Sequence, residues 1–547
     1  MRRPATAEIV ALLLSVVAGF LATAPVWLAP GELVVTTHFT DGHLAGAAAA
    51  ARGLWSGELL QLRTSAAGYP DGVMFRPLLW PVMLLAGLVG PVLALNLSWA
   101  LAPAASTTGG LLLGRALKTS PAGGAALGML LGWCTWMRVT LGNGQIEQAG
   151  LGAIAAVWAA AIVAEEGSRW RVVLAPLTLL AVGLAAPNCG LAAALGLGML
   201  AVGRTVQSPS RAWRLGAVLL LCLVATLLVH AYHAPNYSDL PNFFQPRLHP
   251  PPGHDPTNYG VPSGWLATAT HQLDDADWRA LLVPAGPDAY GSVVQHVPFL
   301  GGTLMLAALL SVLRAPGRVW PLLIAAVGMA SLSMGEQATF FGQRFFMPYH
   351  LITLIAPSAA SSGSAYRLAM AAIVALAAAA AVGLDPRSRR QQVGLGLLVA
   401  LAWTEATLLP GRPLPLPARP VALHPALSAL AGPSSPVLDL PLPLRGSCDA
   451  QTAHYFNATL AHGRPLLHTL AAGPNYFDND QKIRELNRLF RHSQCSARLT
   501  ALLDELAVGA VVLHTEDPCV PGEEVYRCLC AALGEPSSAE GIFWWSR

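Results

Sequence analysis

The chain has 547 residues, of which 54% are hydrophobic and 12% are charged, and its formal net charge is +3 at pH 7. This composition is far from that of soluble globular proteins, and a small net charge without a basic stripe argues against nucleic acid as a partner. The charges avoid the long Leu, Ala, Val and Gly runs and collect in short loops, near residues 232–297 and after residue 411. The sequence therefore predicts a polytopic α-helical membrane protein with a water-soluble tail.

The first apolar run covers residues 9–28, follows Arg2 and Arg3, and is long enough to cross a bilayer. A basic start, an apolar stretch and Ala22-Thr23-Ala24 are also typical of a cleavable signal peptide. The run continues through Val26-Trp27-Leu28, however, which favours an uncleaved first helix. Either interpretation predicts that the next segment is exported.

About eleven spans are predicted when the apolar runs are assigned by the positive-inside rule. The stretch from Leu78 to Val89 is too short to span and is predicted to be a re-entrant or interfacial half-helix, and a full span then ends near Arg115 and Lys118. Nine further runs lie at about 122–141, 149–164, 172–187, 190–203, 215–231, 297–313, 319–334, 366–384 and 393–409. All basic loops then share one face, which predicts a multi-pass inner-membrane protein with a cytoplasmic N-terminus and an extracytoplasmic, periplasmic C-terminal domain.

The same pattern divides the chain into three predicted parts. Residues 1–410 form a transmembrane domain with outer loops 31–76 and 232–296, residues 411–435 form an extended Pro-rich linker, and residues 436–547 form a small α/β domain. Strands are predicted in the tail at residues 436–440, 509–514 and 541–545, with helices between them.

Five of the eight cysteines lie in the tail: Cys448, Cys495, Cys519, Cys528 and Cys530. An oxidising compartment would allow disulfides among them, with Cys519 and Cys528 closing the nearest plausible loop. A metal site is the alternative, but the tail has no CxxC pair and no His at ligand spacing. The pattern favours disulfides or free thiols.

The first polar segment after the first run, residues 36–43, contains His38, Asp41 and His43. A carboxylate just outside a membrane can deprotonate an incoming hydroxyl, or hold a metal or an amine, if its loop folds back on the bundle. Asp41 is therefore a candidate catalytic base with His43 beside it. The alternative is a solvated loop acid.

Glu147 is a second candidate acid, in the outer hairpin formed by residues 141–148. An acid near the end of an apolar helix is costly unless it is partnered or wet. The alternative is a turn whose polar residues cap the flanking helices.

Three arginines on the predicted outer face, Arg76, Arg344 and Arg367, are candidate phosphate ligands. A guanidinium fork fits two phosphate oxygens at once. Arg344 lies among four phenylalanines in residues 340–346, where it could instead anchor the chain at the lipid headgroups. The sequence predicts that at least one of the three contacts phosphate.

The outer loop 232–296 is rich in Asp and His, but its spacings match no HExxH or other tight ligand set. A solvated loop is the favoured interpretation. A divalent metal would suit the composition but is not indicated, and no cofactor is predicted. No Walker motif, GxGxxG fingerprint or GxSxG elbow stands out, which argues against an ATPase or a hydrolase.

Taken together, these features resemble the GT-C superfamily of membrane glycosyltransferases, near the protein mannosyltransferase and aminoarabinose transferase types. The resemblance rests on an acid in the first outer loop (Asp41), Pro-x-x-Leu half-helices, Gly144-Gln145 after the third span, the Pro-x-His-Leu segment at residues 348–351, and Val-Leu-Asp-Leu-Pro opening the tail. About eleven spans with an outer C-terminal domain also fit.

The resemblance implies a polyprenyl-phosphate sugar donor, extracytoplasmic transfer with inversion, and Asp41 as the base. It also places Gln145 among the substrate-binding candidates. One departure is that Gly42 and His43 follow Asp41, where many members carry a second acid.

The predicted function is transfer of a sugar from a polyprenyl-phosphate donor to a glycan, lipid or protein acceptor at the membrane. One alternative is a lipid or glycan transporter or flippase, which should show charged or broken helices at the midplane and an internal repeat. Another is a non-catalytic assembly subunit of cell-envelope polysaccharide biosynthesis.

The span assignment predicts which loops a membrane-impermeant thiol reagent can reach in intact cells. Single cysteines near Asp41, Asp255 and Asp480 should be labelled, because these loops are outside. Single cysteines near Arg115, Arg211 and Arg389 should remain unlabelled until the cells are opened. Labelling of any of the latter three in intact cells would overturn the span count.

Overall fold

The described part of the chain consists of a bundle of long helices followed by a small mixed sheet. The computed structural model describes residues 5–35, 44, 47, 85–143, 150–166, 169–233, 276–277, 300–334, 337–340, 343–355, 365–408, 414–421, 425–430, 435, 437–440, 464, 485–486, 488–490, 497–514, 522–539 and 541–547.

The helices follow the apolar runs of the sequence. In chain order they are α1 (Thr6–Ala22), α2 (Pro91–Ala116), α3 (Pro121–Gly132), α4 (Thr135–Asn143), α5 (Leu151–Glu166), α6 (Leu174–Ala185), α7 (Pro187–Gln207), α8 (Ala212–His233), α9 (Gly302–Arg314), α10 (Pro316–Ser333), α11 (Tyr349–Ile355), α12 (Ala369–Gly383) and α13 (Arg389–Leu408). Helices α2, α3, α7 and α10 begin at a proline. Proline is tolerated there because an N–H in the first turn has no intrahelical acceptor, so its absence breaks no hydrogen bond. The predicted third span is divided into α3 and α4 at Trp133-Cys134.

Helix α12 lies at the centre of the bundle. Every one of its residues is buried, and most of them are alanine. It packs against α3, α5, α7, α9 and α10. Because alanine side chains are short, several helices can surround α12 at close range, which is typical of packing between membrane helices.

Large apolar side chains cover the outside of the bundle. Leu13, Leu21, Leu220 and Leu397 are between 58% and 66% exposed. Among the described helices, Asn188–Gln207 and Ala212–Val229 are long and apolar enough to cross a membrane by length and composition. An apolar exterior around a packed interior is typical of a bundle immersed in lipid. The total of about eleven spans stays a prediction.

Ion pairs join helix termini at one end of the bundle, which we call the ion-pair end. It contains Glu8, Arg115, Lys118, Glu165, Glu166 and Arg204. Arg115 donates through Nε and Nη2 to both carboxylate oxygens of Glu8, at 3.0 and 2.6 Å, and Arg204 Nε donates to Glu165 at 2.6 Å. Two of the basic loops that the sequence places on one face therefore meet at one end.

The opposite end, which we call the β1 end, contains a pair of short antiparallel strands. Strand β1 (Leu33–Val35) pairs with β5 (Ala418–Pro420), so the predicted Pro-rich linker contributes a strand to the bundle. Val421 N–H donates to the Glu32 carbonyl at 2.8 Å. Because antiparallel residue pairs alternate between hydrogen-bonded and non-bonded, Pro420 faces Leu33 at a non-bonded pair, where its missing N–H breaks no rung of the ladder.

The tail forms a four-stranded sheet in the order β6-β7-β9-β8. Its strands are β6 (Val437–Leu440), β7 (Ala510–His514), β8 (Ser537–Ala539) and β9 (Ile542–Ser546), and its helices are α14 (Ala497–Glu505) and α15 (Gly522–Leu533). Strand β7 runs parallel to β6 and antiparallel to β9. The three predicted tail strands are present, and both helices contribute leucines to the core against one face of the sheet. The predicted domain boundaries stay predictions.

Cys528 of α15 is disulfide-bonded, and its partner lies outside the described residues. Cys530 is a free thiol. The bond at Cys528 agrees with the prediction of a disulfide among the tail cysteines. Cys519, the partner predicted from the sequence, lies outside the described residues.

Helices α2 and α5 approach each other closely where two glycines meet. A Cβ atom added to Gly109 would overlap the backbone carbonyl of Gly152. By contrast, nothing lies within 4 Å of a Cβ added to Gly198 in α7. The first glycine is therefore required by packing, whereas the second is not.

We expect Gly109→Ala to lower the stability of the detergent-solubilised protein by about 1–3 kcal/mol, because the methyl group must push α2 and α5 apart. Gly198→Ala is the matched control and should be neutral, or stabilising by up to about 1 kcal/mol, since alanine favours helix. Thermal denaturation of both variants measures the difference. Equal melting temperatures for the two variants would contradict the close approach.

Candidate functional site

The predicted site residues fall on both sides of the boundary of the described chain. Arg344 and Arg367 are in the described part, whereas Asp41, His43, Arg76, Gln145 and Glu147 lie outside it. The described residues beside Asp41 and beside the 141–148 hairpin show where these two segments leave the bundle.

The chain is anchored on both sides of Asp41. Before it, Val35 of β1 is 1% exposed, and after it, Leu44 is fully buried in the same core cluster as Trp99 of α2. Ala47 packs in a small cluster with Ala94, also of α2. Asp41 precedes Leu44 by three residues, which span at most about 11 Å. The described residues on both sides of this segment thus belong to the packed interior of the bundle.

Asn96 of α2 contacts the chain that leads to Asp41. Its side chain is fully buried, and Nδ2 donates to the carbonyl oxygens of Pro30 and Leu33 at 3.0 and 2.7 Å. Asn96 was not among the site residues predicted from the sequence. An asparagine in the first turns of an apolar helix was the available signal, since a buried amide needs partners.

Arg138 is a buried cation in α4 that the sequence analysis also missed. It is 5% exposed and follows the buried residues Trp136 and Met137. Helix α3 starts beside the ion-pair end, where Ser120 N–H donates to Asp385 at 2.9 Å. The chain runs from this start towards the β1 end, and Arg138 follows in α4. An arginine inside an apolar run is costly unless it serves a partner or a ligand, and that interruption of the run was the missed signal.

Arg367 lies at the β1 end. It belongs to the 3-10 helix Ala365–Leu368 and is half-buried. This turn precedes α12, whose other end lies next to Asp385 at the ion-pair end. Since the turn packs against α7 and α10, Arg367 is held by the bundle itself.

Arg344 lies in a three-stranded sheet that joins two predicted outer segments. Strand β3 (Gln337–Phe340) pairs antiparallel with β4 (Gln343–Phe346) and parallel with β2 (Ala276–Asp277), which comes from the 232–296 loop. The register places Asp277 beside Thr339 and Thr339 beside Arg344. An acidic and a basic position therefore share one row across this sheet.

Three arginines thus belong to elements that are described on this side of the bundle. Arg138 and Arg367 belong to the helices, and Arg344 belongs to the hairpin that follows α10. Within the described ranges, no group of three His, Cys, Asp or Glu residues could hold a metal ion. The arrangement can bind an anion such as a phosphate through guanidinium groups.

The tail sheet contains a separate buried polar pair. Asp439 of β6 is fully buried, and its Oδ1 lies 2.9 Å from Nε2 of His514 at the end of β7. Before this sheet in the chain, the carbonyls of Leu430 and Ser435 accept hydrogen bonds from Arg464, and burial lowers the pKa of the Arg464 guanidinium. The Asp439–His514 pair joins two strands of the sheet, and the Arg464 contacts hold together the segment around Leu430 and Ser435.

Comparison with known proteins identifies the fold. No family model matches the chain, and no curated protein matches it in sequence. Among solved structures, it superposes on the arabinofuranosyltransferase AftD from Mycobacteria with a TM-score of 0.54 at 15% identity, over 98% of this chain and 39% of that one. The chain therefore spans well under half the length of that protein.

Two further solved structures are similar at lower scores. The oligosaccharyltransferase AglB from Archaeoglobus fulgidus gives a TM-score of 0.47 at 14% identity, over 96% of this chain and 71% of that one. ArnT from Cupriavidus metallidurans gives 0.39 at 14% identity, over 98% and 97%. The assignment of the fold rests on the first comparison. The resemblance drawn from the first-loop acid and the order of the spans is confirmed at the level of the fold. The chain has the fold of the GT-C glycosyltransferases.

Proposed function

We propose that the chain is a membrane glycosyltransferase that moves a sugar from a polyprenyl-phosphate donor to an extracytoplasmic acceptor, with Asp41 as general base. The observation that carries this proposal is the anchoring of the chain around Asp41, at Val35 and Leu44, near the end of a GT-C bundle that also holds buried Arg138. A base and a phosphate-binding cation are the two groups that such a transfer requires.

The reaction balances with these two groups. An acceptor hydroxyl attacks the anomeric carbon, its proton passes to the Asp41 carboxylate, and the bond from the anomeric carbon to the phosphate oxygen breaks. The leaving lipid phosphate takes the bonding electrons and so gains one negative charge, which balances the charge that Asp41 loses on protonation. Attack opposite to the leaving group inverts the anomeric centre. His43 or Glu147 would position or tune Asp41.

Arg138 is the described cation best suited to the donor phosphate. It is 5% exposed, so its attraction for an anion is screened by water far less than that of a surface arginine. Arg344 and Arg367 remain candidates for the same role, together with Arg76. Gln145 would bind the donor from the adjacent hairpin.

The tail supports the proposed compartment. A disulfide at Cys528 is typical of an oxidising environment, which supports an extracytoplasmic C-terminal domain. The ion-pair end, with its basic loops, would then face the cytoplasm. This orientation puts the β1 end, and Asp41 with it, on the side where lipid-linked donors meet exported acceptors.

We expect Asp41→Asn to lower turnover of a polyprenyl-phosphate sugar by about a hundredfold or more, because the amide keeps the shape of the carboxylate but cannot accept the proton. Expression and donor binding should be nearly unchanged. Initial rates and donor affinity, measured on the purified protein in nanodiscs, test this expectation.

The matched control is Asp385→Asn, which changes a carboxylate that accepts a backbone N–H from Ser120 near the ion-pair end. Its turnover should equal that of the unchanged protein. Near-parental transfer by Asp41→Asn would refute the base assignment. Failure of the unchanged protein to bind any lipid-phosphate sugar would refute the enzyme proposal and favour a transporter or an assembly subunit.

A second prediction concerns the donor phosphate. Arg138→Lys keeps the charge but loses the fork and should weaken binding of a polyprenyl phosphate by about tenfold, whereas Arg138→Gln should weaken it by about a hundredfold. Arg314→Gln, at the exposed end of α9, is the control and should not change affinity. An unchanged affinity in Arg138→Gln would transfer the role to Arg344 or Arg367, which the corresponding alanine variants would then identify.

A further inference from the structure

The amide of Asn96 is oriented by its surroundings. Nδ2 lies 3.0 Å from the Pro30 carbonyl oxygen and 2.7 Å from that of Leu33. Both neighbours can only accept a hydrogen bond, so the nitrogen, and not the oxygen, must face them. Asn96 therefore grips the backbone at the start of β1 with two donated bonds.

The other edge of β1 is held by the linker strand. Val34 and Val35 of β1 pair with Arg419 and Ala418 of β5, the strand that the linker contributes. Just before the strand, Glu32 accepts the N–H of Val421 at 2.8 Å. Strand β1 is thus clamped between a side chain of α2 and the backbone of β5.

The same helix also holds the chain beyond Asp41. Ala94, two residues before Asn96, packs with Ala47, and Leu44 shares the core cluster of Trp99. The first turns of α2 therefore touch the chain before and after the segment that carries the candidate base. This leaves the ends of that segment little freedom to move relative to the bundle.

Stability alone does not explain an asparagine here. Its Oδ1 is buried and has no hydrogen-bond partner among the described residues, which costs about 1–3 kcal/mol and offsets much of what the two donated bonds contribute. What the amide adds beyond an apolar residue of its size is the fixed placement of residues 30–33.

From this clamp we infer that Asn96 is a positioning residue for Asp41. Together with β5, it fixes the point at Val35 from which the chain continues towards Asp41. The inference rests on the proposed function for its catalytic part. Its structural part, the placement of the segment, does not depend on any reaction.

Asn96→Leu fills the same space but donates no hydrogen bond. It should lower kcat by about tenfold to a hundredfold through misplacement of the base, while KM for the donor and its affinity stay near parental values. The matched control is Ser98→Ala in the same helix, whose hydroxyl donates to Ala94 of its own helix at 2.7 Å. That variant should keep the parental kcat.

A second pair of variants tests the clamp from its other edge and leaves α2 intact. Because Val34 and Arg419 form the hydrogen-bonded pair next to Pro420, Arg419→Pro removes a rung of the ladder. It should reproduce the fall in kcat. Pro420→Ala, at the non-bonded pair, should be neutral. If Asn96→Leu does not fold, the comparison of Arg419→Pro with Pro420→Ala still tests whether the placement of β1 affects kcat.

A readout without catalysis separates the two proposals. A cysteine introduced at Thr40 should react several-fold faster with an impermeant maleimide when Asn96→Leu or Arg419→Pro is also present, and at the parental rate with Ser98→Ala or Pro420→Ala. If the clamp variants are labelled faster but the unchanged protein transfers no sugar, the result would support the clamp and refute the proposed function. Unchanged labelling and unchanged kcat in both clamp variants would overturn the positioning role, whatever Asp41→Asn does.

Discussion

Close approach of helices through glycine and alanine is the constraint on which the bundle depends. At Gly109 and Gly152 the backbones of α2 and α5 touch, and α12 is surrounded on all sides because most of its residues are alanine. Without a hydrophobic driving force between helices in lipid, packing of this kind must supply much of the association energy. It also fixes where each helix ends, and hence where the polar groups that follow each helix are placed.

The two ends of the bundle use those polar groups differently. At the ion-pair end, acids and bases neutralise one another between neighbouring helices, as in the contact of Arg204 with buried Glu165. The β1 end instead has backbone pairing, a buried amide and Arg138. Paired charges of this kind suit a structural role at the ion-pair end.

Local patterns in the sequence predicted most of the helices and the three main tail strands, because apolar period and length are local properties. They did not predict the break at Trp133-Cys134 or the burial of Arg138, since a single charge does not end a long apolar run in a hydropathy pattern. Distant segments of the chain meet where β1 pairs with β5. They meet again in the three-stranded sheet, whose register aligns Asp277, Thr339 and Arg344. No local pattern specifies such partners, so the sequence could mark Asn96 as a polar residue in an apolar helix but could not show which strand it contacts.

The pairing of β1 with β5 also has a consequence for biosynthesis. The two strands are separated by most of the chain, and β5 follows the last helix of the bundle. During synthesis every helix can enter the membrane before β1 meets its partner, because non-local pairing must wait for both segments to emerge. On the proposed function, a nascent chain would thus lack the paired strand that precedes Asp41 until its final span is in place, so that incomplete molecules would not consume lipid-linked sugar.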